Sequence, residues 1–271
     1  MKSSKPVAGG FAVLALAVAG QPARANEGAD SPAHSVQVYA EQEDYSDDLG
    51  TLKSVTLEYK FVDEDMTVVF TPAIGERSTP TFSETAFGVG AAVYLNLSDK
   101  VSTRTFIAAA EDEPVFANRQ IAQDITLSTS SKTTLTVGGR WARYNGDRDV
   151  YFVSGTGRYY FNGGSVSYRL TYVDPEGSDG FLAHLVNLSI NDKNGRGKTQ
   201  LWLGAGSSAL DRAQAQIGFS GEDYSATLRR LQPLSNQFSI IGQVGVTSYE
   251  TPTGRITSTN LGVGLQFDLG R

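Results

Sequence analysis

The sequence contains no cysteine and only two histidines among its 271 residues. Without cysteine, the chain forms neither a disulfide nor a thiolate nucleophile. The two histidines, His34 and His184, are too few for the ligand set of a standard zinc site. We therefore expect no metal centre and no cofactor.

Long hydrophobic runs are also absent beyond the first residues of the chain. The apolar run Val7–Gly20 follows Lys2 and Lys5 and precedes Ala23-Arg24-Ala25. This order of charged, hydrophobic and A-x-A segments is typical of a secretory signal peptide. The run is shorter than the ~20 residues of a transmembrane helix. We predict a signal peptide at residues 1–25, followed by a flexible lead-in at 26–34.

Basic residues are fewer than acidic ones, 23 against 29. Removing residues 1–25 takes away three basic residues and no acidic ones, which changes the formal net charge from −6 to −9. Nucleic-acid binding requires basic surface that neutralises phosphates. The balance of charge therefore argues against a nucleic-acid partner.

Strict alternation of apolar and polar residues is the dominant pattern. It is clearest in the segment Thr133–Val173, which holds three stretches of nine to twelve alternating residues. A period of two predicts strands with one apolar and one polar face, and about nine to eleven tilted residues cross a bilayer. The last two stretches are joined by Asn162-Gly163-Gly164, a tight-hairpin signal. The repeated unit is a membrane-spanning β-hairpin.

The same pattern recurs to the C-terminus, and short connections alternate with longer ones. Bacterial outer-membrane barrels have short periplasmic turns and longer external loops. We predict strands at 35–43, 51–61, 66–75, 85–96, 101–110, 119–129, 133–144, 150–161, 165–173, 181–191, 199–207, 222–232, 238–248 and 256–269. The predicted fold is an all-β, antiparallel, up-and-down transmembrane barrel over residues 35–271, with about 14 strands.

Residues 208–221 leave the strand number open. They form a further strand, an extension of the twelfth strand or a loop over the barrel mouth, so that about 12 or 16 strands are the alternatives. An even number returns both chain ends to the periplasm, and we therefore assign this segment to a long external loop.

Polar and aromatic residues on the complementary faces are the candidate lining of the lumen. They are Glu58, Arg104, Asp124, Arg140, Arg158, Arg169, Trp202 and Arg229. Arg104, Arg140, Arg158 and Arg169 fall on the fifth, seventh, eighth and ninth strands, with Asp124 between them. Such a basic wall selects anions, or else these arginines pair with Glu58, Asp124 and loop carboxylates and fill the lumen.

The residues around His184 give little support to a catalytic function. His184 shares the face of Leu182, Val186 and Leu188, which is the lipid side. An outer-membrane phospholipase needs a serine beside its histidine, whereas Leu185 and Val186 follow His184. We assign no catalytic residue and expect a protein that is not an enzyme.

Several segments resemble the YaiO-like family of outer-membrane β-barrel proteins. They are GGRWARYNGDRDVYFVSGTGRYYFNGGSVSYRLTYVDPEG, HLVNLSINDKNGRGKTQLWLGAGSS, LRRLQPLSNQFSI and the closing GVGLQFDLG. The resemblance implies an outer-membrane location in a Gram-negative envelope and supplies no catalytic residues. It also implies, for some relatives, an association with exopolysaccharide or surface assembly.

Three hypotheses for function follow. The first is a pore, or an export or assembly component, that serves a surface polysaccharide or an anionic solute. The second is a plugged structural barrel that displays acidic external loops to envelope proteins. The third and weakest is a lipid-modifying enzyme. All three place the barrel in the lipid bilayer.

The last strand also predicts an interaction with the barrel-assembly machinery, which commonly recognises a terminal strand that ends in an aromatic residue. Here Phe267 holds that position and Asp268 follows it. Asp268→Lys is expected to reduce insertion, because it places a positive charge beside the assembly signal. Immunoblotting of outer-membrane fractions measures the effect, and normal levels of the variant would contradict it.

Overall fold

The computed structural model describes residues 34–47, 49–111, 115–144, 147–177, 179–193, 195–206, 223–251 and 254–270. The predicted signal peptide at 1–25, the lead-in before His34 and the segment 208–221 lie outside the described residues. Within the described ranges, no helix has the length and apolarity needed to cross a bilayer.

Fourteen antiparallel strands form one closed barrel in which each strand pairs with its neighbours in sequence. They are β1 His34–Tyr45, β2 Thr51–Val62, β3 Met66–Thr79, β4 Phe82–Asn96, β5 Val101–Ala110, β6 Arg119–Ser130, β7 Thr133–Tyr144, β8 Arg148–Phe161, β9 Gly164–Pro175, β10 Phe181–Asn191, β11 Lys198–Gly206, β12 Asp223–Pro233, β13 Phe238–Thr251 and β14 Gly254–Gly270. The predicted fold is confirmed, and every strand end lies within four residues of its predicted position.

Three connections that were predicted to be among the longer ones, at 76–84, 145–149 and 249–255, are short. β3 and β4 continue beyond the alternating apolar pattern and meet at a turn of residues 80–81. The turn is held by Thr79 Oγ1, which accepts from the backbone N–H groups of Thr81 and Phe82 at 3.3 Å. Below it, Ser83 Oγ donates to Glu76 Oε1 across the hairpin at 2.8 Å. Apart from Phe82, the residues of this extension are polar on both faces, so no alternation marked it as strand. The connections of β7 to β8 and of β13 to β14 are likewise short.

The ring closes between the first and last strands. β1 pairs with β14 from Ser35 opposite Asp268 to Tyr45 opposite Ser258. We call the end that bears His34 and Gly270 the terminus end and the opposite one the loop end. In outer-membrane barrels the end with the longer loops is external.

The outer surface is an apolar band. Val137, Val153, Leu261 and Val263 expose 63%, 65%, 61% and 65% of their surface. Contiguous apolar exposure on this scale is costly in water, and it is the normal lining of a barrel in lipid. Aromatic side chains lie towards both ends of the band, with Tyr151 near the loop end and Tyr159 and Phe161 near the terminus end.

The seam between β1 and β14 depends on a buried tyrosine. Tyr39 points inward, and its ring lies against the backbone of β14, where a Cβ added to Gly262 would stand 1.7 Å from the Tyr39 hydroxyl. Arg229 lies over the ring as well, with its guanidinium carbon 5.4 Å from the ring centroid. Only glycine at position 262 leaves room for this ring.

Gly262→Ala is therefore expected to destabilise the barrel by about 1–3 kcal/mol, because the added methyl group overpacks the seam. Urea unfolding of the refolded protein in detergent, followed by heat-modifiable mobility in gels, measures the change. Gly242→Ala on neighbouring β13 is the matched control, since no atom lies within 4 Å of the added Cβ. Equal stability of the two variants would contradict the packing argument.

Candidate functional site

Four arginines face the lumen from neighbouring strands, and we call them the basic wall. They are Arg104 on β5, Arg140 on β7, Arg158 on β8 and Arg169 on β9. Each alternates with exposed apolar residues of its strand, which directs its side chain inward. Strand parity therefore gathers positive charge on one side of the barrel.

Arg104 is the member of the basic wall that forms an ion pair. Its Nη1 lies 3.0 Å from Oδ2 of Asp124, the residue directly opposite it on β6. The Asp124 carboxylate lies over the next strand, where a Cβ added to Gly138 would stand 1.9 Å from Asp124 Oδ1. A glycine on β7 thus makes space for the one carboxylate of this wall.

The other three arginines have different neighbours. The Arg140 guanidinium lies 3.7 Å from the centroid of the Phe152 ring. Arg169 donates from Nε to Thr156 Oγ1 at 2.9 Å, and Arg158 lies opposite small polar residues on both adjoining strands. In the part of the chain that the structure describes, none of these three forms an ion pair with a carboxylate. The basic wall therefore carries excess positive charge.

Carboxylates cluster on the other side of the barrel. We call Glu41 and Glu43 on β1 and Glu58 on β2 the acidic wall. β1 and β8 are half a circumference apart in the ring of fourteen strands. Glu41 accepts hydrogen bonds from Gln243, at 3.3 Å, and from Asn260. The arginines of the basic wall thus face glutamates across the lumen, and these glutamates have Arg229, Lys60 and Arg77 as charged neighbours.

Of the remaining predicted residues, Arg229 lies at the edge of the acidic wall, and Trp202 lies between the two walls, two strands from β9. Arg229 on β12 donates to Gln37 Oε1 at 3.3 Å and is a charged neighbour of Glu58. Trp202 on β11 is half-buried and lies opposite Asn187 and Thr227. The structure therefore places these residues away from the basic wall.

A segment between β5 and β6 folds into the lumen. From the sequence it was predicted to be an ordinary external loop. We call Val115–Asn118 the inserted segment. Val115, Phe116 and Ala117 are 0%, 3% and 5% exposed. Val115 and Phe116 pack on Leu52, Ala73 and Ala86 of β2, β3 and β4. Ala117 belongs to a second cluster with residues of β7, β8 and β9, namely Ala142, Tyr144, Val150, Phe152 and Val173.

Hydrogen bonds hold the Asn118 end of the inserted segment and the end of β5 that precedes it. Glu111 exchanges two bonds with Phe87: its N–H donates to the Phe87 carbonyl at 3.1 Å, and its Oε2 accepts from the Phe87 N–H at 2.8 Å. The Ala110 N–H donates to the Asn118 carbonyl at 2.9 Å. The inserted segment therefore bridges two sides of the lumen. Small inward residues on β3 and β4, such as Ala73 and Ala86, are the sequence signal that could have revealed the space it fills.

Arg77 is a further buried charged residue, and it is not among the lumen-lining residues predicted from the sequence. It is 1% exposed, and its Nη2 donates to the Leu49 carbonyl at 2.5 Å. Its guanidinium lies 4.5 Å from the centroid of the Tyr45 ring. These contacts attach the loop between β1 and β2 to the inner wall at the loop end.

A closed antiparallel barrel with an apolar outer band and charged residues in its lumen defines a β-barrel protein of the outer membrane. A sequence model of the YaiO membrane beta barrel domain matches residues 33–210. The chain belongs to this family, which confirms both the resemblance and the outer-membrane location.

Solved structures share the architecture at low sequence identity. The CymD monoaromatic hydrocarbon channel superposes with a TM-score of 0.63 at 5% identity, over 89% of this chain and 90% of that one. A bacterial polysaccharide outer membrane secretin superposes with a TM-score of 0.56 at 7% identity, over 87% and 98% of the two chains. At these identities the likeness shows the fold alone.

Phe116→Ala is expected to loosen the inserted segment by about 3 kcal/mol, which makes local opening about a hundred times more frequent. Hydrogen exchange of the Ala110 amide, which is bonded to Asn118, reports this opening. Phe70→Ala is the matched control, because Phe70 is 44% exposed on the outer surface of β3. Unchanged exchange in Phe116→Ala would show that packing does not hold the segment.

Proposed function

We propose that this protein is a passive channel across the outer membrane that favours anionic solutes. The observation that carries the proposal is the basic wall, in which four inward arginines share one ion-paired carboxylate among the described residues. Rings of arginine and lysine select anions in pores. The proposed role includes no catalytic step.

The charge arrangement supports a preference rather than a simple filling of space. Two unit charges 4 Å apart interact by about 4 kcal/mol at an effective dielectric constant of 20. Unpaired guanidinium groups in a confined, low-dielectric lumen attract anions more strongly than the same groups on an open surface. The acidic wall lies on the opposite side, so an anion has a favourable path along β5 to β9.

The inserted segment supports a narrow passage. It occupies the space between β2–β4 and β7–β9 near the loop end. A solute on the proposed path therefore passes the part of the lumen that the inserted segment narrows, before or after it meets the basic wall. This arrangement favours small solutes or a single extended chain.

An extended acidic polysaccharide is one solute class that meets these requirements, because its carboxylates repeat along a thin chain. The shared architecture with a polysaccharide secretin is compatible with this finer proposal. Export of a surface polysaccharide would add envelope proteins as partners. Insertion by the assembly machinery through β14, where Phe267 is 44% exposed on the outer surface, completes the proposal.

The inserted segment also favours a second candidate function, in which the barrel is plugged and acts through its external loops. In that case, Val115–Asn118 belongs to a closure rather than to a constriction, and the partner binds outside. Conductance separates the two candidates.

Single-channel recording of the refolded barrel in planar bilayers tests the proposal. In a salt gradient the wild type is expected to prefer chloride over potassium, and Arg140→Glu/Arg158→Glu is expected to lose or reverse that preference. Arg119→Glu/Arg255→Glu is the matched control, because both arginines are exposed at the loop end outside the lumen. The control double variant is expected to keep the wild-type preference.

Cation preference in the wild type, or an unchanged preference in Arg140→Glu/Arg158→Glu, would rule out the basic wall as a selectivity element. Absence of conductance from protein shown by heat-modifiable mobility to be folded would favour the plugged barrel.

A further inference from the structure

We propose that Arg104, Arg140 and Arg169 form a discrete oxyanion-binding site around Asp124, which takes a carboxylate, sulfate or phosphate group. The inference deepens the proposed channel function and rests on it for the route by which the ligand arrives. It goes beyond a general preference for anions, because it predicts a saturable site at named residues.

The first argument is the charge balance of the cluster. Arg140 and Arg169 both interact electrostatically with Asp124 and with Arg104. Asp124 forms its ion pair with Arg104, at 3.0 Å. Three guanidinium groups thus lie within electrostatic range of one carboxylate, and no second carboxylate among the described residues forms an ion pair with them. The cluster holds two positive charges in excess.

The second argument is independent of charge and concerns hydrogen bonds. The Nε–H groups of Arg104 and Arg140 are buried, and neither has an acceptor among the described residues. A buried donor without an acceptor is costly, and the cost is greatest for a charged group. An oxyanion supplies several acceptor lone pairs to such donors at once. The missing acceptors and the excess positive charge are therefore both satisfied by the same kind of ligand, an oxyanion.

The third argument is that the guanidinium groups are already oriented. Arg140 lies against the Phe152 ring at 3.7 Å, and Arg169 is held by its bond to Thr156. Arg104 lies 5.7 Å and 5.5 Å from the ring centroids of Tyr94 and Phe106. Side chains that are fixed before binding lose little conformational entropy when the ligand arrives. Planar guanidinium groups match the geometry of carboxylate and phosphate oxygens.

Asp124 indicates how the site is tuned. Its carboxylate already interacts with the cluster as an oxyanion would, and it also repels a second anion. Removing its charge is expected to strengthen ligand binding, whereas removing the charge of Arg140 or Arg169 is expected to weaken it. These opposite effects from neighbouring residues distinguish a site from general damage to the barrel.

Isothermal titration calorimetry of the refolded barrel in detergent, with inorganic sulfate as the probe, tests this inference. The wild type is expected to bind sulfate saturably. Arg140→Gln and Arg169→Gln are each expected to weaken binding about tenfold or more, since hydrogen bonds to charged groups contribute about 1.5–3 kcal/mol. Asp124→Asn is expected to bind more tightly. Arg119→Gln, outside the lumen, is the matched control and is expected to bind as the wild type does.

Competition experiments against sulfate identify the source of the oxyanion. The competitors are glucuronate, glucose and phosphate. If the site takes the carboxylate of an acidic sugar, glucuronate competes with sulfate and glucose does not. If the site is specific for inorganic anions, phosphate competes and glucuronate does not. Both outcomes support an oxyanion site. Competition by glucose would overturn it, because the ligand would then not be recognised through its charge.

The hypothesis of an oxyanion site and the hypothesis of a channel can be rejected independently of each other. Absence of saturable sulfate binding to the folded wild type, or equal affinity in Arg140→Gln and the wild type, would overturn the site even if the barrel conducts anions. Arginine-dependent sulfate binding by a barrel that does not conduct would support the site and remove the channel function.

Discussion

Peptide groups in the core of a bilayer have no water to hydrogen-bond with, so each N–H and C=O must find a partner within the protein. In this chain the requirement is met by pairing β1 with β14, which leaves no strand edge in the ring of fourteen. Closure has a second effect. Every residue is assigned to either lipid or lumen by strand parity alone, so charged residues on the strands must face inward wherever the outer face is apolar.

The lumen is therefore the place where charged side chains are accommodated, and it is filled in two ways. Near the loop end, the filling is apolar: Val115 and Phe116 pack against small residues of β3 and β4. Elsewhere it is polar, with guanidinium groups on β5 to β9 and glutamates on β1 and β2. At the β1–β14 seam, Tyr39 packs on Gly262 and also lies near the Arg229 guanidinium.

Sequence alone was sufficient to predict the strands that lie in lipid, because the bilayer requires an apolar residue at every second position of each strand. It was insufficient for the extension of β3 and β4, where Glu76 and Ser83 pair outside the apolar band and both faces are mostly polar. Parity also predicted the inward direction of Arg140 and Arg169, but not their neighbours, because Phe152 and Thr156 are fixed by register. The inserted segment escaped prediction for a different reason: its contacts come from six strands, and no local pattern in Val115–Asn118 records them.

The inserted segment has a mechanical consequence as well. The fourteen strands of the ring are joined to one another by rows of hydrogen bonds, which can act as hinges. The cross-section of such a ring can flatten under the lateral pressure of the surrounding lipid. Val115 and Phe116 press on β2–β4 while Ala117 presses on β7–β9, so the segment acts as a strut across the barrel. A barrel braced in this way is expected to flatten less at its loop end than an unbraced ring of the same strand number.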